Sequence, residues 1–329
     1  MHRIEKLVEL CRNKTVYIQT HNFPDPDAIA SAFGLQKLLR VYGVDATLCY
    51  AGRIDKLSTA KMLQMFHIEM HPYDTLQARM RESDYIICVD SQKNAGNLTD
   101  FIGQEVAAID HHPTFVKAEY AYEDLRITGA CASIIAAYFA EAGLTPDCDT
   151  ATALLYGIKM DTLQFSRGVT PLDISMFAFL HPLIDQEKMR NLERNNLEFQ
   201  DLRAYSAAIE HIKVYDTVGF SYIPFACPDG LIATISDFVL SLEEVQVSVI
   251  FSCREDGIKF SVRSEIAGVH AGDLIHRTLK DYGSGGGHAS MAGGLIPREH
   301  VPMLGEDPEH RIIQLFLKEL ESADSERYA

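Results

Sequence analysis

Short apolar runs alternate with helix-period segments through the first half of the chain. Val16–Thr20 and Ala46–Tyr50 are β-rich, and Tyr85–Val89 and residues 106–109 are almost continuously apolar, the texture of strands buried on both faces in a parallel sheet. After the first run, Ala28, Ala32, Leu35 and Leu39 recur at spacings of four, three and four, which places them on one face of a helix. Further helices are expected through residues 61–66, at 130–142 and at 150–160. Alternating β and α elements predict an α/β fold, a mostly parallel sheet with helices on both faces.

The pattern changes past the middle of the chain. Residues 185–201 (DQEKMRNLERNNLEFQD) are polar and charge-rich after an apolar stretch, and read as a solvated connecting helix. Beyond about residue 213, strands are expected at 220–225, 231–235, 245–251 and 259–263. A helix at Ala271–Leu279 and a glycine-rich turn follow. The expected organisation is a domain over 1–185, a helical linker over 186–212, and a smaller α+β domain over 213–329. There is no internal repeat.

Composition narrows the class. A length of 329 residues suits about two domains. With 47% hydrophobic and 23% charged residues the chain can build two cores, which excludes disorder and disulfide-stapled miniproteins. No apolar stretch reaches the roughly 18 residues that cross a bilayer. The N-terminus alternates charged and apolar residues, so a cytoplasmic protein is expected. Thirty basic against 46 acidic residues give −16, the wrong sign for gripping long duplex nucleic acid or an anionic membrane. Phosphates, if handled, need a local site with metal ions supplying positive charge. The seven cysteines are scattered with no Cys-x-x-Cys pair, and are expected to be reduced core thiols rather than zinc ligands or disulfides.

The chemistry gathers at strand ends. The first strand runs into His21-Asn22-Phe23-Pro24-Asp25-Pro26-Asp27, that at 85–89 into Asp90, and that at 106–109 into Asp110-His111-His112. Ligands of open parallel sheets sit at the carboxyl ends of the strands, so these groups converge. Asp161 closes the helix-like segment before it. Prolines 24 and 26 favour an extended loop in which Asp25 and Asp27 project to the same side. Both can then reach one metal centre, as ligands of a single ion or one to each of two adjacent ions. Carboxylates and imidazoles without thiolates favour manganese, iron, cobalt or zinc over calcium. Each piece alone could be a helix cap or a turn; their sharing one sheet edge is what points to a site.

The chain resembles the DHH phosphoesterases over nearly its whole length. The matching motifs are His21-x-x-x-Asp25-x-Asp27 with Ser31, then Asp90, then Asp110-His111-His112, then Gly157-Ile158-x-x-Asp161-Thr162-x-x-Phe165. The C-terminal half resembles the DHH-associated domain through Gly285-Gly286-Gly287-His288-x-x-Met291-Ala292-Gly293 and Ser261-Val262-Arg263-Ser264. Ser284 interrupts what is often a run of four glycines in the family. Within the family, the chain is most similar to nano-RNase and pAp phosphatase enzymes.

The resemblance implies two divalent ions, manganese by preference. His21, Asp25 and Asp90 would hold one, and Asp27, Asp90, His111 and Asp161 the other, with a bridging hydroxide as nucleophile. His112 would be a catalytic donor to the phosphoryl oxygen and Asp110 would orient a neighbouring histidine. Arg263, Ser264, Gly285, Gly286, Gly287 and His288 would bind substrate. The implied activity is hydrolysis of short oligoribonucleotides to mononucleotides, and of adenosine 3′,5′-bisphosphate (pAp). The alternatives are a cyclic di-AMP or pApA phosphodiesterase, a pyrophosphatase, and an idle nucleotide-binding module. Expected partners are short single-stranded RNA or nucleotides, with a homodimer one option for the oligomeric state.

Overall fold

The computed structural model describes residues 2–54, 57–114, 116–194, 197–287 and 289–327. The chain divides into two compact units, Met1–Asn196 and Leu197–Ala329.

The first unit is built on six strands: β1 (Val16–Thr20), β2 (Ala46–Tyr50), β3 (Met70–Pro72), β4 (Tyr85–Val89), β5 (Gln104–Asp110) and β6 (Tyr122–Leu125). They lie in the order β3-β2-β1-β4-β5-β6, and every pair is parallel. The fold class is therefore the α/β class expected. β3 and β6 had no clear pattern to announce them, being three and four residues long at the two sheet edges. From β1 the chain winds outward through β2 to β3, and then returns to place β4 on β1's other side. That reversal opens a crevice beyond the carboxyl ends of β1 and β4, the usual ligand position in such sheets.

The helix Pro26–Val41, directly after β1, is buried almost all round, from Pro26 through Leu35. It packs against the helix Cys148–Asp161 through small residues. A Cβ on Gly157 would lie 2.9 Å from the Ala30 Cβ and 3.1 Å from Asp27 Oδ1. Glycine at 157 is what lets this second helix approach the carboxylate.

The second unit carries a mixed sheet in the order β11-β12-β10-β9-β8-β7. Its strands are β7 (Lys213–Tyr215), β8 (Val218–Ile223), β9 (Val247–Arg254), β10 (Gly257–Ser264), β11 (Ser284–Gly287) and β12 (Met291–Pro297). The helix Ala271–Leu279 has the bounds expected. Two local expectations are corrected. Residues 231–235 lie in the helix Asp229–Leu240, not a strand. Ile232, Ile235, Ser236 and Val239 make its buried face at spacings of three, one and three, a helical period that a short β-branched run conceals. The glycine-rich segment is an edge strand, Gly285 and Gly286 pairing with Gly294 and Gly293 of β12.

The polar stretch between the units carries the helix Gln186–Glu193, and its apolar positions divide: Leu197 and Phe199 are exposed, as expected of a solvated segment, while others are buried. Met189 and Leu192 of the helix Gln186–Glu193 join the core of the first unit, while Ala204 and Ala208 of the helix Leu202–Glu210 join a core of the second. Five of the seven free cysteines are buried; Cys148 and Cys253 are exposed. Among the described residues no helix is long and apolar enough to cross a membrane.

Candidate metal centre

β1, β4 and β5 end side by side, which brings His21, Asp90 and the segment Asp110-His111-His112 to one crevice. Asp90 leaves β4 with φ +57, a left-handed conformation that a non-glycine residue adopts at a cost, and the residue is 2% exposed. Its carboxylate faces both ways. Oδ2 lies 3.6 Å from His21 Nε2 and Oδ1 lies 3.3 Å from His111 Nε2. Asp161, the last residue of the helix Cys148–Asp161, brings Oδ2 to 3.3 Å from the same His111 nitrogen.

The loop after β1 turns Asp25 and Asp27 toward different neighbours. Asp25 is extended, but Phe23 sits in the left-handed region at φ +57 and not in the extended conformation expected of this loop, and Pro26 is already the first helical residue. Asp25 Oδ1 caps that helix, accepting from the Asp27 and Ala28 amides at 2.9 and 3.0 Å. Asp27, inside the first turn, points elsewhere. Both its oxygens accept amides at the start of the helix Cys131–Glu141, from Cys131 at 2.7 Å and Ala132 at 2.9 Å. The two aspartates accordingly join different groups: His21 with Asp25 and Asp90, and Asp27 with His111 and Asp161.

Each histidine is oriented from behind. His21 Nδ1–H donates to the Asn22 carbonyl at 2.8 Å and His111 Nδ1–H to the Thr128 carbonyl at 2.9 Å. Because a carbonyl can only accept, Nε2 is the nitrogen each ring presents to the carboxylates. Burial opposes a charge on His21, yet Asp25 and Asp90 outweigh it and raise its pKa to about 10. His111 behaves the same way, with Asp90, Asp27 and Asp161 raising it to about 11 against burial. Burial, reinforced by Asp90 and Asp161, pushes Asp27 well up, and burial with Asp25 nearby raises Asp161 to about 6.

Four carboxylates crowded round two imidazoles thus demand positive charge. Asp90 Oδ1 and His111 Nε2 are buried and lack hydrogen-bond partners. Such atoms cost about 1–3 kcal/mol each when left so, and a cation between them removes the penalty. The donor set of carboxylate oxygens and Nε2 lone pairs fits a divalent transition metal.

Asp110 and His112 adjoin this cluster, Asp90, Asp110, His111 and His112 forming a third close group. Asp110 Oδ1 accepts the His111 amide at 2.8 Å and His112 Nδ1–H at 2.9 Å. Burial works against the Asp110 charge, but His112 and Gln92 hold its pKa below the ordinary value. The sequence reading did not single out Gln92. It is buried, and its Nε2 donates to Asp110 Oδ2 at 2.7 Å and to the His112 carbonyl at 3.2 Å while Thr114 Oγ1 donates to its Oε1. Its place two residues past Asp90 was the available signal. Asp173 was missed too. It accepts from Gly129 N and Thr128 Oγ1, securing the loop whose Thr128 carbonyl holds His111, and the capping box it forms with Thr170 at the start of the helix Pro171–Leu180 was the available signal.

The second unit holds the remaining expected residues. Arg263 on β10 is nearly buried, its Nε donating to Asp237 Oδ1 at 2.6 Å and its Nη1 to Ser261 Oγ at 3.0 Å. The Ser264 hydroxyl is buried without a partner. Gly285, Gly286 and Gly287 lie on the edge strand β11. His288 lies outside the described residues.

A doubly wound sheet carrying a buried aspartate–histidine cluster at its switch point defines a class of α/β protein suited to divalent cations. Residues 15–158 match the DHH family, N-terminal domain, and residues 216–318 match the DHHA1 domain. The chain belongs to the DHH phosphoesterase family. It is 28% identical over 298 residues to an uncharacterised protein of Methanocaldococcus jannaschii, an alignment covering 90% of this chain and 60% of that one. A probable manganese-dependent inorganic pyrophosphatase of Streptococcus suis is 35% identical over 154 residues, 46% of this chain and 49% of its own length. The cyclic-di-AMP phosphodiesterase GdpP of Bacillus subtilis is 23% identical over 340 residues, covering 96% of this chain and 50% of its own. The chain thus spans between half and 60% of the length of these curated relatives. Among solved structures, an exopolyphosphatase-related protein from Bacteroides fragilis superposes with TM-score 0.78 at 19% identity, over 97% of this chain and 94% of that one. It shares the fold.

One prediction separates the two tasks of Asp25. Asp25→Ser keeps a good helix cap and removes the carboxylate, whereas Asp25→Ala removes both. Both variants should bind manganese more weakly by calorimetry. Asp25→Ala alone should also lose about 1 kcal/mol of metal-free stability in urea unfolding. Equal manganese affinity in wild type and Asp25→Ser would remove Asp25 from the ligand set.

Proposed function

We propose that the chain is a manganese-dependent phosphoesterase that hydrolyses very short oligoribonucleotides to mononucleotides, with pAp as a second substrate. Two divalent ions are assigned, one to His21, Asp25 and Asp90 and one to Asp27, Asp90, His111 and Asp161, with Asp90 shared. The observation that carries this reading is the Asp90 carboxylate, whose two oxygens face two differently oriented histidines. Divalent ions bound by these residues would supply Lewis acidity and a lowered pKa for water at the site. The chain's own part is to orient the ligands through the Asn22 and Thr128 carbonyls and to aim His112, through Asp110, at a phosphoryl oxygen. No serine or cysteine nucleophile is required.

The charge supports short substrates. A protein at −16 lacks the broad basic track by which long single strands are held, so affinity comes from contacts near the scissile phosphate. In the second unit, Arg263, Ser264 and the β11 glycines are the proposed substrate contacts. An incoming anion there competes with Asp237 for the Arg263 fork. Similarity to GdpP over 96% of the chain favours, as a second reading, a cyclic dinucleotide or its linear product as substrate.

Turnover of a panel with added manganese tests the reading: a dinucleotide, a pentamer, an oligomer of about 20 nucleotides, pAp, cyclic di-AMP and pyrophosphate. The dinucleotide and pentamer should give the highest kcat/KM, with a shallow salt dependence. Preference for cyclic di-AMP would establish the second reading in its place. Turnover of pyrophosphate alone, or of nothing, would overturn both.

A further inference from the structure

Between the two metal-site residues His21 and Asp25 stands an aromatic ring that the metal chemistry does not use. Phe23 is 59% exposed and its backbone sits at φ +57. A bulky side chain in the left-handed region costs roughly 1–2 kcal/mol, and such residues persist where the surroundings over-determine them. The surroundings here do so. The Phe23 amide donates to the Ala51 carbonyl at 3.0 Å, and the Asn22 amide to the Asn97 carbonyl at 2.7 Å. Asn22 Oδ1 accepts from both the amide and the hydroxyl of Thr99.

The ring itself has a made seat. It lies against Gly52, where a Cβ would come within 2.9 Å of two ring carbons and 3.1 Å of a third. Gly52 also holds φ +84, so a side chain is excluded there twice over. The ring is thereby seated at Gly52 while more than half of the residue's surface stays exposed. An apolar ring held in water at an energetic cost, next to a cluster that would bind phosphate-bearing ligands, has the form of a stacking platform.

We propose that Phe23 stacks an unpaired nucleobase of the substrate, and so selects nucleotide esters over base-free phosphate esters. The proposal rests on the nucleotide reading above and deepens it by naming the group that recognises the base. The aromatic face tolerates any base, which suits an enzyme that must finish oligomers of every sequence. It also places discrimination against inorganic phosphate esters in this first unit, on a residue set directly between two of the groups assigned to metal.

The test compares Phe23→Ala, Phe23→Tyr and Phe23→Gly on a dinucleotide and on the two analogues of it that lack one base or the other. Phe23→Ala should lower kcat/KM for the intact dinucleotide about 10- to 100-fold, the range expected for one stacked base. One abasic analogue should be as poor for wild type as the dinucleotide is for Phe23→Ala, and the variant should lose nothing more on it. Phe23→Tyr should retain wild-type kcat/KM. Phe23→Gly relieves the backbone along with removing the ring, so it should lose activity while its melting temperature is no lower than wild type. Equal losses on intact and both abasic substrates, or a fall in melting temperature that tracks the fall in activity, would assign Phe23 a structural role and overturn the proposal. Wild-type turnover of the dinucleotide with no loss in Phe23→Ala overturns the stacking idea alone. Wild-type failure on the dinucleotide overturns it together with the nucleotide reading.

Discussion

Asp90→Ala should abolish manganese-dependent turnover and empty the site, with larger losses in both than Asp110→Ala. The two aspartates make a fair comparison because both are buried and both end strands of the same sheet. Asp110 spends its oxygens on protein donors: two amides, the His112 ring and Gln92. Asp90 Oδ1 accepts no amide or hydroxyl, and its near neighbours are the His111 and His112 rings at 3.3 and 3.7 Å. Removing a group that only orients others typically costs about 10–100-fold in metal affinity or activity. Removing the carboxylate proposed to touch both ions should exceed that. A second readout guards against misfolding. Without metal, Asp90→Ala relieves crowding among Asp25, Asp27 and Asp161 but also removes the partner shared by His21 and His111, so the readout is the metal-dependent shift in melting temperature. Added manganese should raise the melting temperature of Asp90→Ala far less than that of wild type. Near-normal metal content and turnover in Asp90→Ala would remove the two-ion assignment.

His112→Ala should do the opposite: keep the metal and lose roughly 10²–10³-fold in kcat, the usual cost of one transition-state donor. The geometry gives the reason. Its Nδ1–H is committed to Asp110 at 2.9 Å, and the Asp110 carboxylate is itself pinned by Gln92 and by the backbone. Burial disfavours a charge on the ring, but Asp110 and Asp90 override it and raise its pKa, which favours the protonated form a donor needs. Asp90, Asp110, His111 and His112 are also close enough together to form a ligand group by themselves. Metal analysis of His112→Ala therefore decides between the roles. Loss of an ion on mutation would make His112 a ligand, and the division of labour between the adjacent histidines would fall.

The sequence by itself determined much of the frame of the first unit and which acids and histidines gather at one edge of its sheet. Four of the six strands of the parallel sheet were legible because strands covered on both faces must be apolar throughout, and the helix after β1 because its apolar positions recur with the helical period. The acids and histidines were legible because open parallel sheets present their strand ends to ligands. What local pattern could not carry was anything decided by partners distant in the chain. Residues 231–235 have strand composition, and became helix because Ile232, Ile235 and Val239 share a core with Ala204 and Ala208. Whether Asp25 and Asp27 serve one group or two depended on amides more than 100 positions away, at Cys131 and Ala132, which draw Asp27 aside. The tautomer of His111 was set by the Thr128 carbonyl, and Thr128 by Asp173, contacts for which side-chain spacing holds no information. The guanidinium of Arg263 proved to be engaged by Asp237 on a neighbouring helix. Residue type and spacing dictate which groups can reach a sheet edge, since that follows from the periodicity of the backbone. Which atom each group turns toward its neighbour is a matter of hydrogen bonds closed across the fold, and only the tertiary structure supplies them.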